Sequence, residues 1–124
     1  MLQIIRAVLK NPQDKTQLWL IFANKTEDDI LLRKELEAIP KNRLKLFYTL
    51  DEPPAGWKQG KGFISEQLLK RVLPAASDDV LVCVCGPPGM MTAVSGGKTP
   101  DYKQGELTGL LKALGFSESN VFKF

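Results

Sequence analysis

"VLVCVCGPPGM", residues 80–90, carries the decision about this chain. Six small or branched apolar side chains, Val80 to Cys85, run straight into Gly86, Pro87, Pro88 and Gly89. The apolar run reads as a strand buried on both faces, the pattern of a parallel sheet. It ends on a thiol at a rigid turn, where two prolines fix φ and offer no N–H and two glycines leave the backbone bare. A buried strand needs no such ending. A ligand laid against the main chain needs a wall without side chains, and residues 86–89 supply one.

Working outward, the rest of the chain alternates in the same way. "MLQIIRAVLK" (1–10) reads as a helix with Leu2, Ile5 and Leu9 on one stripe, ending near the turn signal "NPQD". "QLWLIFAN" (17–24) reads as a strand buried on both faces. Asp28 and Asp29 then offer negative charge to the start of a helix through "ILLRKELEAI" (30–39), which Pro40 and Asn42 stop. "RLKLFYTLD" (43–51) is the next strand, followed by a loop with Pro53, Pro54, Gly56, Gly60 and Gly62. Ser65 caps a predicted helix over 66–73, and the strand at 79–85 follows. A short helix is predicted to open at "PPGMMTAV", because proline suits the first helical position. After the loop "SGGKTPDYKQG" comes a helix over 106–115, with Leu107, Leu110, Leu111 and Leu114 on one side and Gly115 closing it. "VFKF" (121–124) is a last short strand.

Strands alternating with helices predict an α/β domain over 1–124, a doubly wound, Rossmann-like parallel sheet. Ligands of such sheets sit beyond the carboxyl ends of the strands. Here those ends are "FANKT", "YTLD" and "CVCGPPGM". A domain of this kind opens on a strand whose turn binds phosphate, whereas this sequence opens on a helix. The first strand is therefore expected to be missing from the chain.

Composition narrows the function. The 124 residues, 44% apolar and 25% charged, suit one globular domain. A net charge of +3 spread along the chain is too diffuse for a nucleic-acid partner, though it could steer an acidic one. Cys83 and Cys85 share one strand face and have no other cysteine to pair with, which points to reduced thiols in a reducing compartment. The absence of histidine removes Ser-His and Cys-His nucleophiles and most zinc sites, so no metal is expected. No run approaches the ~20 apolar residues of a membrane span.

"GGKT" (96–99) is no P-loop: Thr92 stands where the pattern needs glycine, and a helix precedes it. "GKGF" (60–63) lacks the third glycine of a dinucleotide fingerprint. Asp51, at the carboxyl end of the second strand, is either a ribose-hydroxyl acceptor or an ordinary turn aspartate. Cys85 alone reads as a small buried strand residue, Met90 and Met91 as core fillers, and Phe63 as a surface-loop anchor.

Taken together, "MLQIIRAV", "FANKTEDDILLRKELE", "YTLD", "CGPPGM" and a terminal Phe resemble the NADH-binding domain of the NADH-cytochrome b5 reductase family, within the ferredoxin-NADP reductase superfamily. The resemblance spans the whole chain, and its ending looks most like the fungal mitochondrial branch. It implies a two-domain flavoenzyme with an upstream β-barrel that binds FAD. NADH gives a hydride to the flavin, and electrons pass singly to cytochrome b5 or a related haem protein. It implies that Cys85 lies by the nicotinamide and assists by placement. Gly86, Pro87, Pro88, Gly89 and Met90 would lie along the dinucleotide. Asp51 would bind ribose, Phe63 the adenine side, and Ala23, Asn24 and Lys25 the other adenosine edge. Lys25 replaces a common Gln and adds positive charge near the ribose; Gly89 replaces a common third proline. The full-length protein would sit on the mitochondrial outer membrane or the endoplasmic reticulum through an anchor outside this segment, which itself makes no membrane contact.

Two rival classes share the pattern of this sequence. One is a non-catalytic nucleotide-binding or interaction module of the same fold, which an upstream flavin domain would exclude. The other is a flavodoxin-like signalling domain, for which no acidic pocket paired with a suitable lysine is present.

Overall fold

The computed structural model describes residues 1–124. The chain divides into two compact units, Met1–Phe63 and Ile64–Phe124, and each builds its own parallel sheet.

In the first unit, helix α1 (Leu2–Lys10) lays its apolar stripe on a core of Ile5, Leu36 and Leu44, with Leu2, Leu9, Leu18 and Leu20 around it. Strand β1 (Leu18–Asn24) pairs in parallel with β2 (Leu44–Leu50), residue for residue from Leu18↔Leu44 to Asn24↔Leu50. A two-residue strand β3 (Gly60–Lys61) pairs with the other side of β2, so β2 is central and β1 lies at the edge of this sheet. That explains the burial. Tyr48, Thr49 and Leu50 of β2 are buried, whereas β1, predicted to be buried on both faces, is half-buried along most of its length. A strand with one neighbour has cover on one edge only.

Two further differences from the sequence reading have local causes. The helix predicted over 30–39 is only α2 (Arg33–Glu37). Before it, Thr26 and Asp29 close a capping box around a 3-10 turn, Glu27–Asp29, which ends at Ile30. Asp29 accepts from the Thr26 N–H at 2.8 Å and from its hydroxyl at 2.7 Å, and these bonds hold its carboxyl below the usual range. Leu32 then turns into the left-handed region at φ 56° before α2 begins. The acidic pair thus serves its own turn, and the helix starts later.

The stretch read as a plain loop contains β3. A Cβ on Gly60 would lie 2.8 Å from the Thr49 Cβ, so only glycine brings β3 against β2 there. The loop is pinned as well: the Tyr48 N–H donates to Gln59 Oε1 at 2.8 Å, and Trp57 Nε1 donates to the Gly60 carbonyl at 2.9 Å.

In the second unit, α3 (Glu66–Val72) starts as predicted, with Ser65 Oγ accepting from the Leu68 N–H at 3.2 Å. Strand β4 (Val82–Val84) pairs with β5 (Val121–Lys123), and α4 (Pro88–Val94) and α5 (Gly109–Ala113) lie between them in sequence. The strand predicted over 79–85 is three residues long because its partner offers only three. The helix predicted over 106–115 begins at Gly109. Leu107, counted on its apolar stripe, is buried but precedes the helix, its N–H donating to Glu118 Oε1 at 3.2 Å. Gly115, at φ 87°, ends the helix as expected, its N–H bonding the Lys112 carbonyl at 3.0 Å.

Gly109 itself cannot be another residue without strain. Its φ is +67°, and an added Cβ would meet the Ala93 carbonyl oxygen at 2.2 Å. Gly109→Ala is therefore expected to destabilise the protein by at least about 2 kcal/mol. Gly97→Ala, whose Cβ would meet nothing within 4 Å, should change stability by less than about 0.5 kcal/mol. Denaturant unfolding of the two variants checks the difference.

Candidate functional site

The first unit gathers its candidate residues on the carboxyl rim of the β1–β2 pair. Two main-chain bonds tie the segments at the carboxyl ends of these strands together. The Asp51 N–H donates to the Asn24 carbonyl at 3.1 Å, and the Glu52 N–H donates to the Lys25 carbonyl at 2.8 Å. Ala23, Asn24, Lys25 and Asp51 are thus held together by main-chain bonds. On the other side of β2, the Gly62 N–H reaches the Leu50 carbonyl at 2.8 Å and Thr49 Oγ1 donates to the Gly62 carbonyl at 2.7 Å. Phe63 comes next and is 86% exposed, a large apolar ring with nothing covering it.

The chemistry of this rim is specific. Asp51 is exposed at the end of β2, an acceptor facing solvent. Nearby in the ladder, the Asn24 side-chain nitrogen is buried with no hydrogen-bond partner, and a donor in that state costs about 1–3 kcal/mol until something accepts from it. Lys25 is exposed and forms an ion pair with Glu52 at 3.5 Å. An acceptor, an orphaned donor and an exposed ring fit a ligand carrying hydroxyls and an aromatic base.

The second unit carries the turn that opened the sequence reading. Cys85 follows β4 directly, just past the bond that closes the β4–β5 pairing, in which the Phe124 N–H donates to the Val84 carbonyl at 2.9 Å. The bland reading of Cys85 as a buried residue does not hold: it is exposed, because the chain has left the ladder and entered the turn. Cys83, inside β4, is half-buried, and burial pushes its thiol pKa up. Both thiols are free. Pro87 caps α4 and Pro88 opens it, with the Met91 N–H donating to the Pro87 carbonyl at 3.0 Å.

The bare wall is only partly bare. Gly89 has open space around it, but a Cβ on Gly86 would lie 2.2 Å from Cε and 2.7 Å from Sδ of Met90. Met90 folds back over Gly86, while Met91 is buried as a core filler. "GGKT" lies after α4 in a loop, as its sequence context predicted.

One residue escaped the sequence reading altogether. Lys123 is almost fully buried, and its ammonium donates to the carbonyls of Glu106 at 2.7 Å and of Gly97 and Gly105 at 3.3 Å each. Burial holds its pKa below the ordinary lysine value. The signal was present: in "VFKF", strand alternation puts Val121 and Lys123 on the inner face and Phe122 and Phe124 outside.

Comparison with known proteins places this arrangement. The sequence model of the oxidoreductase NAD-binding domain matches residues 1–96. The chain belongs to that family. It is 52% identical over 126 residues to an NADH-cytochrome b5 reductase-like protein of Arabidopsis thaliana, covering all of this chain and 38% of that protein. It is also 52% identical over 128 residues to NADH-cytochrome b5 reductase 2 of Coccidioides immitis, covering all of this chain and 39% of that protein. Among solved structures, the cytochrome b5 reductase domain of Ulva prolifera nitrate reductase is 36% identical with a TM-score of 0.81, covering 98% of this chain and 42% of that one. The α/β fold with parallel strands is thus the Rossmann-like fold of reductase NAD-binding domains. The chain spans about two-fifths of the length of the curated relatives it matches.

The contrast between the two thiols can be read directly. Iodoacetamide is expected to label Cys85 several-fold faster than Cys83, which is less exposed and whose thiol pKa burial pushes up. A time course by mass spectrometry that found equal rates would contradict the placement of Cys85 outside the ladder.

Proposed function

We propose that this chain is the pyridine-nucleotide half of a flavoprotein reductase that takes a hydride from NADH to FAD and passes electrons singly to cytochrome b5 or a similar haem protein. The reading rests above all on the match of the whole chain, at 52% identity, to proteins named NADH-cytochrome b5 reductase. FAD is held mainly by an upstream domain outside residues 1–124. An anchor, also outside them, places the protein on the mitochondrial outer membrane or the endoplasmic reticulum, facing a reducing compartment. Two free cysteines agree with such a compartment. No helix of this chain is long and apolar enough to cross a membrane.

When bound, the nicotinamide and flavin supply the redox chemistry. The chain's own residues bind and orient. Asp51 accepts from the ribose hydroxyls, the orphaned Asn24 amide donates to the adenosine edge beside Ala23 and Lys25, and Phe63 covers the adenine. Gly89 lets the dinucleotide approach the backbone, and Pro87 and Pro88 hold the turn without N–H groups that would compete for it. Cys85, small and exposed, sets the position of the nicotinamide and forms no covalent bond to it.

Placement of this kind shows in rate more than in binding. In the full-length holoenzyme, Cys85→Ser should lower kcat several-fold or more with KM for NADH nearly unchanged. Cys83→Ser, one step back inside β4, should slow flavin reduction far less; equal slowing would refute the assignment.

Asp51 governs the choice of nucleotide. Toward NADH its carboxylate accepts a charge-assisted hydrogen bond of roughly 1.5–3 kcal/mol; toward NADPH it meets a phosphate of like charge. Wild type should therefore prefer NADH by at least about a hundredfold in kcat/KM. Asp51→Thr should collapse that preference to within about tenfold, and a wild type that used both nucleotides equally would remove Asp51 from the ribose site.

A further inference from the structure

The rim holds a second carboxylate that the ribose contact leaves unused. Glu52 follows Asp51, and its Oε1 lies 3.5 Å from the Lys25 ammonium. We propose that Glu52 is a specificity-determining residue: by engaging Lys25, it keeps that cation from receiving a 2′-phosphate and so strengthens the rejection of NADPH. The inference rests on the ribose reading of Asp51.

The main chain ties the pair together. The Glu52 N–H donates to the Lys25 carbonyl at 2.8 Å, one residue beyond the bond from the Asp51 N–H to the Asn24 carbonyl. Lys25 and Asp51 follow the last registered pair, Asn24 and Leu50, and the Glu52 bond holds the next residue against them, so Lys25 and Glu52 are neighbours just past the strand ends. The bonds from Thr26 hold the Asp29 carboxyl below its usual range, and the charge of Lys25 adds to this. Lys25 thus sits among negative charges. A phosphate arriving on the 2′-position would have to compete with Glu52 for the ammonium while facing both Glu52 and Asp51. From sequence, Lys25 is a free charge that weakens discrimination; its pairing with Glu52 partly neutralises it.

The size of the effect follows from exposure. The side chains are 67% and 65% exposed, so the pair is weak and screened by salt. It should move discrimination several-fold, leaving the larger effect to Asp51.

The test uses the full-length holoenzyme and two probes of the adenosine half, 5′-AMP and 2′,5′-ADP, with dissociation constants measured by calorimetry at low salt. Glu52→Gln should tighten 2′,5′-ADP about three- to fivefold and change 5′-AMP by less than about twofold. Lys25→Gln alone should shift the ratio of the two constants by less than about twofold, because Glu52 already occupies the cation. In the Lys25→Gln background, Glu52→Gln should gain less than about twofold for 2′,5′-ADP. A gain of equal size with and without Lys25 would mean that Glu52 acts only by general repulsion, and no gain at all would mean that it does not act; either overturns the proposal. Asp51→Thr is measured beside them. If it leaves the ratio of the two probes unchanged, the ribose reading itself has failed, whatever Glu52 does.

Discussion

The parallel ladder between β1 and β2 is the constraint on which the first unit depends. Two strands paired in parallel must deliver their carboxyl ends to the same edge, and here the pairing is residue for residue over seven positions. The bond from the Asp51 N–H to the Asn24 carbonyl closes the last pair, and the bond from the Glu52 N–H to the Lys25 carbonyl ties the segments just beyond, where chemistry-bearing side chains begin. The positions of Ala23, Asn24, Lys25, Asp51 and Glu52 are therefore consequences of strand register. The core beneath holds that register: Ile5, Leu36 and Leu44 bury one face, and Tyr48, Leu50 and Ile30 make a second cluster with Trp57. Slipping β2 by one residue would turn every one of its side chains to the wrong face.

The second unit solves a related problem with less sheet. Its ladder has three rungs, too short to fix a turn by itself. Lys123 supplies the missing restraint. Its ammonium reaches the carbonyls of Gly97, Gly105 and Glu106, and Gln104 grips the same residue's main chain, accepting from its N–H at 2.7 Å and donating to its carbonyl at 2.9 Å. A buried ammonium is tolerable because those carbonyls replace its water. Loop 96–106 and β5 are thereby one piece, and β5 in turn pairs with the strand that ends at Cys85.

Much of this was legible without coordinates, and the exceptions share a cause. Long apolar periods marked α1, β1 and β2, and the Ser65 and Gly115 signals marked helix ends, because each depends on neighbours in sequence. The failures lie where a distant or competing partner decides. The Thr26–Asp29 capping box took acidic residues that looked like helix starters and broke the helix at Ile30 to Leu32. β3 exists because Gly60 can approach Thr49, eleven residues away in the chain. Leu107 left its helix because Gly109 is folded against Ala93. Among the site residues, their place at strand ends could be read from pattern. Which of them already has a partner could not: the pairing of Lys25 with Glu52 and the orphaned Asn24 amide are facts of side-chain geometry.

The same distinction separates the two glycines of the turn. By sequence they are equivalent, two residues that leave the backbone bare on either side of a proline pair. In the fold they differ. Gly89 faces open space, so its lack of a side chain is unused by the protein itself and remains available to a ligand. Gly86 is already in use: Met90 lies where its Cβ would be. The covering atoms are the far end of a flexible thioether, the part of the side chain that moves at least cost. The wall is therefore open at one glycine and covered at the other by the flexible end of a side chain. Met90 stands in the first turn of α4, whose start Pro88 fixes, so the cover over Gly86 comes from a side chain while the turn's backbone is held by the prolines.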